Sequence, residues 1–431
     1  MATPDQTQKS AVPITTDFGA PAASGAPPAG SAIPLVSRAW LWNFALIWFG
    51  FWLLVMLPGQ FMVAKISAHV APADKVAVAS FLIAEMAVVI LVTVPIIGVL
   101  CDRTRSRFGR RRIWAVGGFL TAAIPFALVG VQASWPAIAA LIAVVAVGQS
   151  AILVSLSAMI ADQVPRAQRG RASAAMGVPQ VFALAIGMVL VTMLVTSIPG
   201  SWALIAGLAL LSAVPFLLFF AEPHDASPAP QAFVKGIRHA MTWPNARSHP
   251  GYYWAMTSRV LINAGNLVGT TYLLFFLADI VKVDDPDTSL LVLILIYLVA
   301  CGVTSYLCGI LSDRWGRRRI FVALAALLQA AAALLLAMAP SWEASMVAAV
   351  LLGLGFGAFL SVDQALITDL LPDPATHARD LGIINSAQHI PIAPLVGWLV
   401  LSLAGYRSLY AVAAVIIVLG GLAVYRIKSV R

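Results

Sequence analysis

Apolar residues run through this chain in long stretches separated by short polar breaks. Leu82–Leu100 contains a single ionisable residue, Glu85, while Trp135–Ala161 and Phe321–Trp342 contain none. About 20 such residues in a helix cross the hydrocarbon core of a bilayer. No water is available there, so each run must satisfy its own backbone groups by coiling into a helix. The pattern predicts twelve spans, at about residues 39–62, 77–100, 113–133, 136–161, 173–197, 201–221, 252–277, 289–311, 320–339, 345–367, 382–403 and 406–426. The expected fold class is an all-α membrane protein. Residues 1–37, rich in Pro, Ala, Gly, Ser and Thr, read as a disordered tail, not a cleaved signal peptide. A longer polar stretch, 222–250, reads as a linker between two six-helix bundles, 38–221 and 251–431.

Composition sharpens this picture. Only 10% of residues are charged and 61% are hydrophobic, with a mean hydropathy of +0.91. Soluble domains carry roughly 25% charged residues, so a soluble enzyme is excluded. Cys101, Cys301 and Cys308 sit in or beside apolar runs and suggest packing, with no disulfide framework and no metal site. The net charge of +9 matters less than its placement. Alternate loops and the two termini hold 22 of the 27 Lys and Arg residues; the opposite side holds Lys65, Lys75, Lys282 and Arg407, and Arg259 lies within a span. Basic residues accumulate on the cytoplasmic side. The termini and linker are therefore expected in the cytoplasm, and the short basic clusters are topological, not nucleic-acid patches.

The two halves repeat each other. Gly98-Val-Leu-Cys-Asp102-Arg103 matches Gly309-Ile-Leu-Ser-Asp313-Arg314 at an offset of 211, and Gly109-Arg110 matches Gly316-Arg317 at 207. Asp162 and Pro165 match Asp369 and Pro372 at 207, and Arg171 and Gln180 match Arg379 and Gln388 at 208. The repeat implies two pseudo-symmetric bundles related by an axis along the membrane normal, with a site between them.

The stretch Gly98 to Arg112, with its second copy after α-helical span eight, resembles the loop signature of the major facilitator superfamily, and the likeness covers about residues 38–430. The wording Asp-Arg-Thr-Arg-Ser-Arg-Phe-Gly-Arg-Arg-Arg at 102–112 is similar to the glycoside–pentoside–hexuronide and sucrose-type symporters, as is the run around Asp363. The resemblance implies a gate. The acid matching Asp102 meets the start of span eleven when the cytoplasmic side closes, with Gly98, Arg103, Gly109 and Arg110 around it, and Gly309, Asp313, Arg314, Gly316 and Arg317 form the second copy. A carboxylate at a helix N-terminus is favoured by about 0.3–1 kcal/mol, and Gly98 would allow close helix approach. Sodium-coupled relatives carry paired Asp where this chain has Ile90 and Val94, which speaks against sodium. The Gly-Pro-x-x-Gly-Gly run of drug exporters has no match in span five.

Ionisable groups inside a bilayer are costly and invite a functional reading. Glu85, near mid-span, and Asp363, about six residues from the cytoplasmic end of span ten, are the candidates for proton coupling. Arg259, Asn263, Asn266 and Thr270 are spaced 4, 3 and 4 and share one face of span seven. That polar stripe is expected to line the central cavity, although Arg259 could instead snorkel to headgroups. Trp48, Trp52 and Gln60 of span one, Gln180 of span five, and Asn385, Gln388 and His389 of span eleven complete the candidate cavity.

No His-Glu-x-x-His, Gly-x-Ser-x-Gly or Walker A pattern is present, so neither a membrane enzyme nor an ATP-driven pump is expected. The expected function is secondary active transport by alternating access. Proton symport of a sugar or glycoside follows from the resemblance, and proton-coupled export of a drug or secondary metabolite is the alternative. The expected partners are the bilayer and a small solute, with no nucleic acid and no cofactor beyond the coupling proton, and the chain is expected to work as a monomer. The excess of Arg over Lys, 21 against 6, with abundant Ala, suggests the cytoplasmic membrane of a high-GC bacterium.

Overall fold

The structure, a computed structural model, describes residues 35–165, 168–219, 244–315, 317–370, 387 and 390–427. Six spans form the first bundle: α1 (Arg38–Val70), α2 (Lys75–Arg103), α3 (Arg110–Val129), α4 (Trp135–Gln163), α5 (Arg169–Leu194) and α6 (Ile198–Phe219). The second holds α7 (Pro250–Thr271 and Leu273–Val281), α8 (Pro286–Trp315), α9 (Arg318–Met338) and α10 (Trp342–Asp369). A last helical run, Ile392–Ala423, is broken at Gly405. There φ is 75° and ψ −175°, a left-handed conformation that suits glycine. The break divides the run into α11 (392–404) and α12 (406–426), which brings the helical segments of the two bundles among the described residues to twelve; most of residues 382–391, where the predicted eleventh span begins, lie outside the described residues. The arginine-rich α2–α3 and α8–α9 loops lie at one end of the molecule, the basic face. The α1–α2, α5–α6, α7–α8 and α11–α12 turns lie at the far face.

The repeat is visible in the packing. In the first bundle α1 packs on α5 and α6, α4 on α2 and α3, and α3 on α6; in the second, α10 packs on α8 and α9, and the α11–α12 run on α7 and α9. Glycines make the tightest of these contacts. A Cβ at Gly148 of α4 would come within 2.7 Å of the Gly118 carbonyl of α3, and one at Gly355 of α10 within 2.7 Å of the Ala325 carbonyl of α9. Both members of the two pairs are separated by 207 residues, the offset already seen in the loops. Small residues let membrane helices approach closely, where van der Waals packing replaces the missing hydrophobic drive. Across the bundles, α2 packs against the α11–α12 run and α5 against α8.

Several span ends differ from the sequence expectation. α1 continues to Val70 instead of stopping near 62, because Pro58 is absorbed by a π-turn at Pro58–Met62. Pro58 has no N–H to give the carbonyl of Leu54, four residues earlier. Gln149 of α4 donates its amide to that carbonyl at 2.8 Å, so the helix carries on. α7 is bent by 41° at Tyr272 and runs on to Val281 through a second π-turn.

Candidate functional site

On the basic face, the Gly98–Arg112 loop is organised by Arg111. Its guanidinium is buried, with Nη1 2.6 Å from Asp102 Oδ1 and Nε 2.9 Å from Asp162 Oδ2. Arg110 Nη2 reaches the same Asp162 oxygen at 2.9 Å, and Arg111 also donates to Cys101 Sγ at 3.3 Å. Gly109, at φ 99°, turns the loop into α3. Asp102 is thus tied to its own bundle, with its side chain 63% exposed. The residues that open span eleven, its expected partner, lie outside the described residues, as do Gly316 and the side chain of Asp313. Among the described residues, a Cβ at Gly98 would meet nothing within 4 Å, and one at Gly309 only Ser361, at 3.8 Å. Arg103, Arg314 and Arg317 are exposed. Arg111 and Asp162 are the centre of this cluster, whereas the motif expectation centres on Asp102 with Arg103 and Arg110 around it. The recurrence of Asp162 in the repeat was the available signal.

The span-seven stripe divides. Arg259 Nε lies 3.4 Å from Asp363 Oδ2 of α10, with side-chain exposures of 13% and 8%. Arg259 is therefore engaged inside the second bundle and does not simply snorkel to headgroups. Asn263 donates to the Arg259 carbonyl at 2.9 Å and Thr270 to the Asn266 carbonyl at 3.1 Å, and both side chains are half-buried. Asn266 turns inward: it is buried and donates to Gln329 Oε1 of α9 at 3.1 Å, so it joins helices of one bundle and is not free for a solute.

In the first bundle, Trp48 is fully buried against Phe44, Phe51 and Trp52, so it packs the core of that bundle and does not line a cavity. Trp52 is half-buried and donates Nε1 to the Met176 carbonyl of α5 at 2.8 Å. Gln180 reaches Met56 Sδ at 3.5 Å, and Gln60 is half-buried in the π-turn. The offset of 207 sets Trp52 against Arg259 and Met56 against Asn263, so the two inward-facing positions of α1 recur in α7 with polar side chains. Asn385, Gln388 and His389 lie outside the described residues.

Glu85 is half-buried, and its Oε2 is enclosed without a hydrogen-bond partner among the described residues. A helix turns about 100° per residue. Phe81, whose ring meets Trp135, lies about 40° to one side of Glu85, and Thr93, bonded to Ser150 at 2.7 Å, about 80° to the other. Both partners belong to α4. Ser80, which touches the second bundle, lies about 140° away. Lys75, which reaches Asp279 of the second bundle, also lies about 80° from Glu85, on the same side as Thr93, so contacts to α4 and to the second bundle both flank this carboxyl. Asp363, by contrast, has a charged neighbour, Arg259, at 3.4 Å.

The profile of the Major Facilitator Superfamily matches residues 73–296 and 260–431. Among solved structures, a mutant of the nucleoside transporter NupG superimposes with a TM-score of 0.71 at 12% identity, over 91% of this chain and 100% of that one. At that identity the likeness concerns the fold. No curated protein is significantly similar in sequence. With the two matches together covering residues 73–431, well over half of the chain, the chain belongs to the major facilitator superfamily.

Proposed function

We propose that this major facilitator chain is a proton-coupled symporter of a sugar or glycoside, set in the cytoplasmic membrane with its basic face inside. The observation that carries the reading is the Arg259–Asp363 pair, 3.4 Å apart between α7 and α10. Two enclosed charges in a membrane protein are retained at a cost and mark transport pathways. Ionised, the carboxylate can hold the guanidinium; protonated, it releases the guanidinium for another partner. Loading and unloading of one proton at Asp363 would thus change what Arg259 can hold, which is the differential contact that coupling requires. The half-buried side chains of Trp52, Gln60, Gln180, Asn263 and Thr270 offer an aromatic face and hydroxyl-seeking amides, which suit a polyhydroxylated ring. The loop wording at 102–112 supports the glycoside–pentoside–hexuronide and sucrose-type group as the nearest relatives in chemistry.

The test is a reconstituted liposome containing a pH dye, offered sugars, glycosides, nucleosides and common drugs. Inward solute gradients of one sugar or glycoside should acidify the lumen. Alkalinisation of an acidic lumen by an inward drug gradient would instead make the chain a proton-coupled exporter. Solute equilibration with no proton movement would overturn coupling altogether.

A further inference from the structure

The far face is where side chains tie one bundle to the other. Lys65, near the end of α1, reaches Asp287 in the first turn of α8 at 2.6 Å and also donates to the Thr196 carbonyl at 3.2 Å. Lys75, the first residue of α2, reaches Asp279 in the last turn of α7 at 2.6 Å. Tyr406, at the head of α12, donates to the other oxygen of Asp279 at 2.9 Å. One layer deeper, the fully buried Tyr272 sits in the bend of α7. Its hydroxyl is 2.7 Å from Ser80 of α2 and 3.1 Å from the Pro394 carbonyl of α11. Gly397 makes room for it, since a Cβ there would collide with the Tyr272 ring.

These contacts explain an oddity of the charge pattern. Lys65 and Lys75 are two of only four basic residues outside the arginine-rich side and the spans. Lys75 stands at the positive pole of its helix, where a cation is disfavoured, so Asp279 is what makes it tolerable. Asp287 stands at the corresponding pole of α8, where a carboxylate is favoured. All four partners come from opposite bundles, so both pairs exist only while the far face is closed. An interaction present in one state and absent in the other shifts the balance between them. The paired side chains are 21–34% exposed, so salt screens them in part. Pairs of this exposure shift an equilibrium by about two- to fivefold each.

We propose that Lys65–Asp287 and Lys75–Asp279–Tyr406, with Tyr272 beneath them, are an ionic latch that holds the far face of the transporter shut. The latch depends on alternating access and is independent of which solute or ion is carried.

The test uses the purified full chain in nanodiscs with spin labels at His69→Cys of the first bundle and Ser402→Cys of the second, with Cys101, Cys301 and Cys308 replaced by alanine. The unmodified latch should give one short inter-label distance. Lys65→Ala with Lys75→Ala should add a longer population, raised about fivefold or more, and high salt should do the same to the intact latch. Swapping one pair, Lys65→Asp with Asp287→Lys, should keep the short distance. An unchanged distribution in the double alanine variant overturns the latch. So does a lengthened one in the swapped pair, because it would show that the lysines act through shape and not charge.

Discussion

Gln149 of α4 places its amide 2.8 Å from the Leu54 carbonyl of α1, the group that Pro58 leaves without an intrahelical donor. The contact turns a helix breaker into a bend within a continuous span. Gln149→Leu should therefore destabilise the protein by about 1–2 kcal/mol, the cost of an unsatisfied buried carbonyl. In a Pro58→Ala background the N–H returns and the same change should cost less. Thermal melting of the four variants in detergent, read as a double-mutant cycle, checks the coupling.

Glycines at the seams within a bundle differ from those of the gate motif. Gly148→Val and Gly355→Val would press on backbone atoms within 3 Å, so both should lower stability by about 1–3 kcal/mol. Gly98→Val meets nothing among the described residues. It should melt like the parent yet transport at least tenfold more slowly if α2 must approach its neighbour when the basic face closes. Melting and flux measured on the same preparations separate the two effects.

Arg111 holds Asp102 and Asp162 together from a buried position. Arg111→Gln should cost about 1–2 kcal/mol, because it removes contacts to two partly exposed carboxylates while Arg110 still holds Asp162. Arg111→Lys should restore little, because one ammonium cannot reproduce two directed N–H contacts. Arg105→Gln, at an exposed position of the same loop, should change stability by less than about 0.5 kcal/mol. Detergent melts of the three variants decide it.

Asp285 accepts from the Asp287 and Thr288 backbone N–H groups and the Thr288 hydroxyl at the start of α8. The Thr288 contacts, the hydroxyl first, hold its carboxyl below the ordinary value. A depressed carboxyl pKa stabilises the fold at pH values above its unfolded value, and the gain is lost as pH falls through the folded one. Asp285→Ala should therefore be less stable than the parent at pH 7, by about 0.5–2 kcal/mol. The difference should shrink below about pH 4. Chemical denaturation at the two pH values tests the sign.

Much of the architecture is legible in the chain because bilayer thickness, charge asymmetry and duplication each leave a periodic trace. The Gly148–Gly118 and Gly355–Ala325 seams obey the same 207-residue offset as the loops. What escapes is pairing between distant spans. Arg259 and Asp363 each stand out as ionisable residues in apolar runs, but nothing in a linear pattern says that α7 and α10 bring them together. Lys65 and Lys75 look like exceptions to a topological rule until Asp287 and Asp279 appear opposite them. Trp48 and Asn266 match the expected cavity pattern by type and spacing, and tertiary packing turns both into their own bundles. The extension of α1 beyond residue 62 to Val70 follows a contact between Gln149 and the Leu54 carbonyl that no linear pattern shows.

On the proposed function, Asp363, paired with Arg259, carries the coupling proton. The direct measurement compares Asp363→Asn and Glu85→Gln in liposomes in two assays, proton-driven accumulation and equilibrium exchange of the same labelled sugar. Asp363→Asn should keep exchange within about threefold of the parent and lose accumulation, as expected when loading is removed but alternation remains. Glu85→Gln should retain both. Accumulation surviving in Asp363→Asn while Glu85→Gln abolishes it would contradict the account and move the coupling site to the flank of α2.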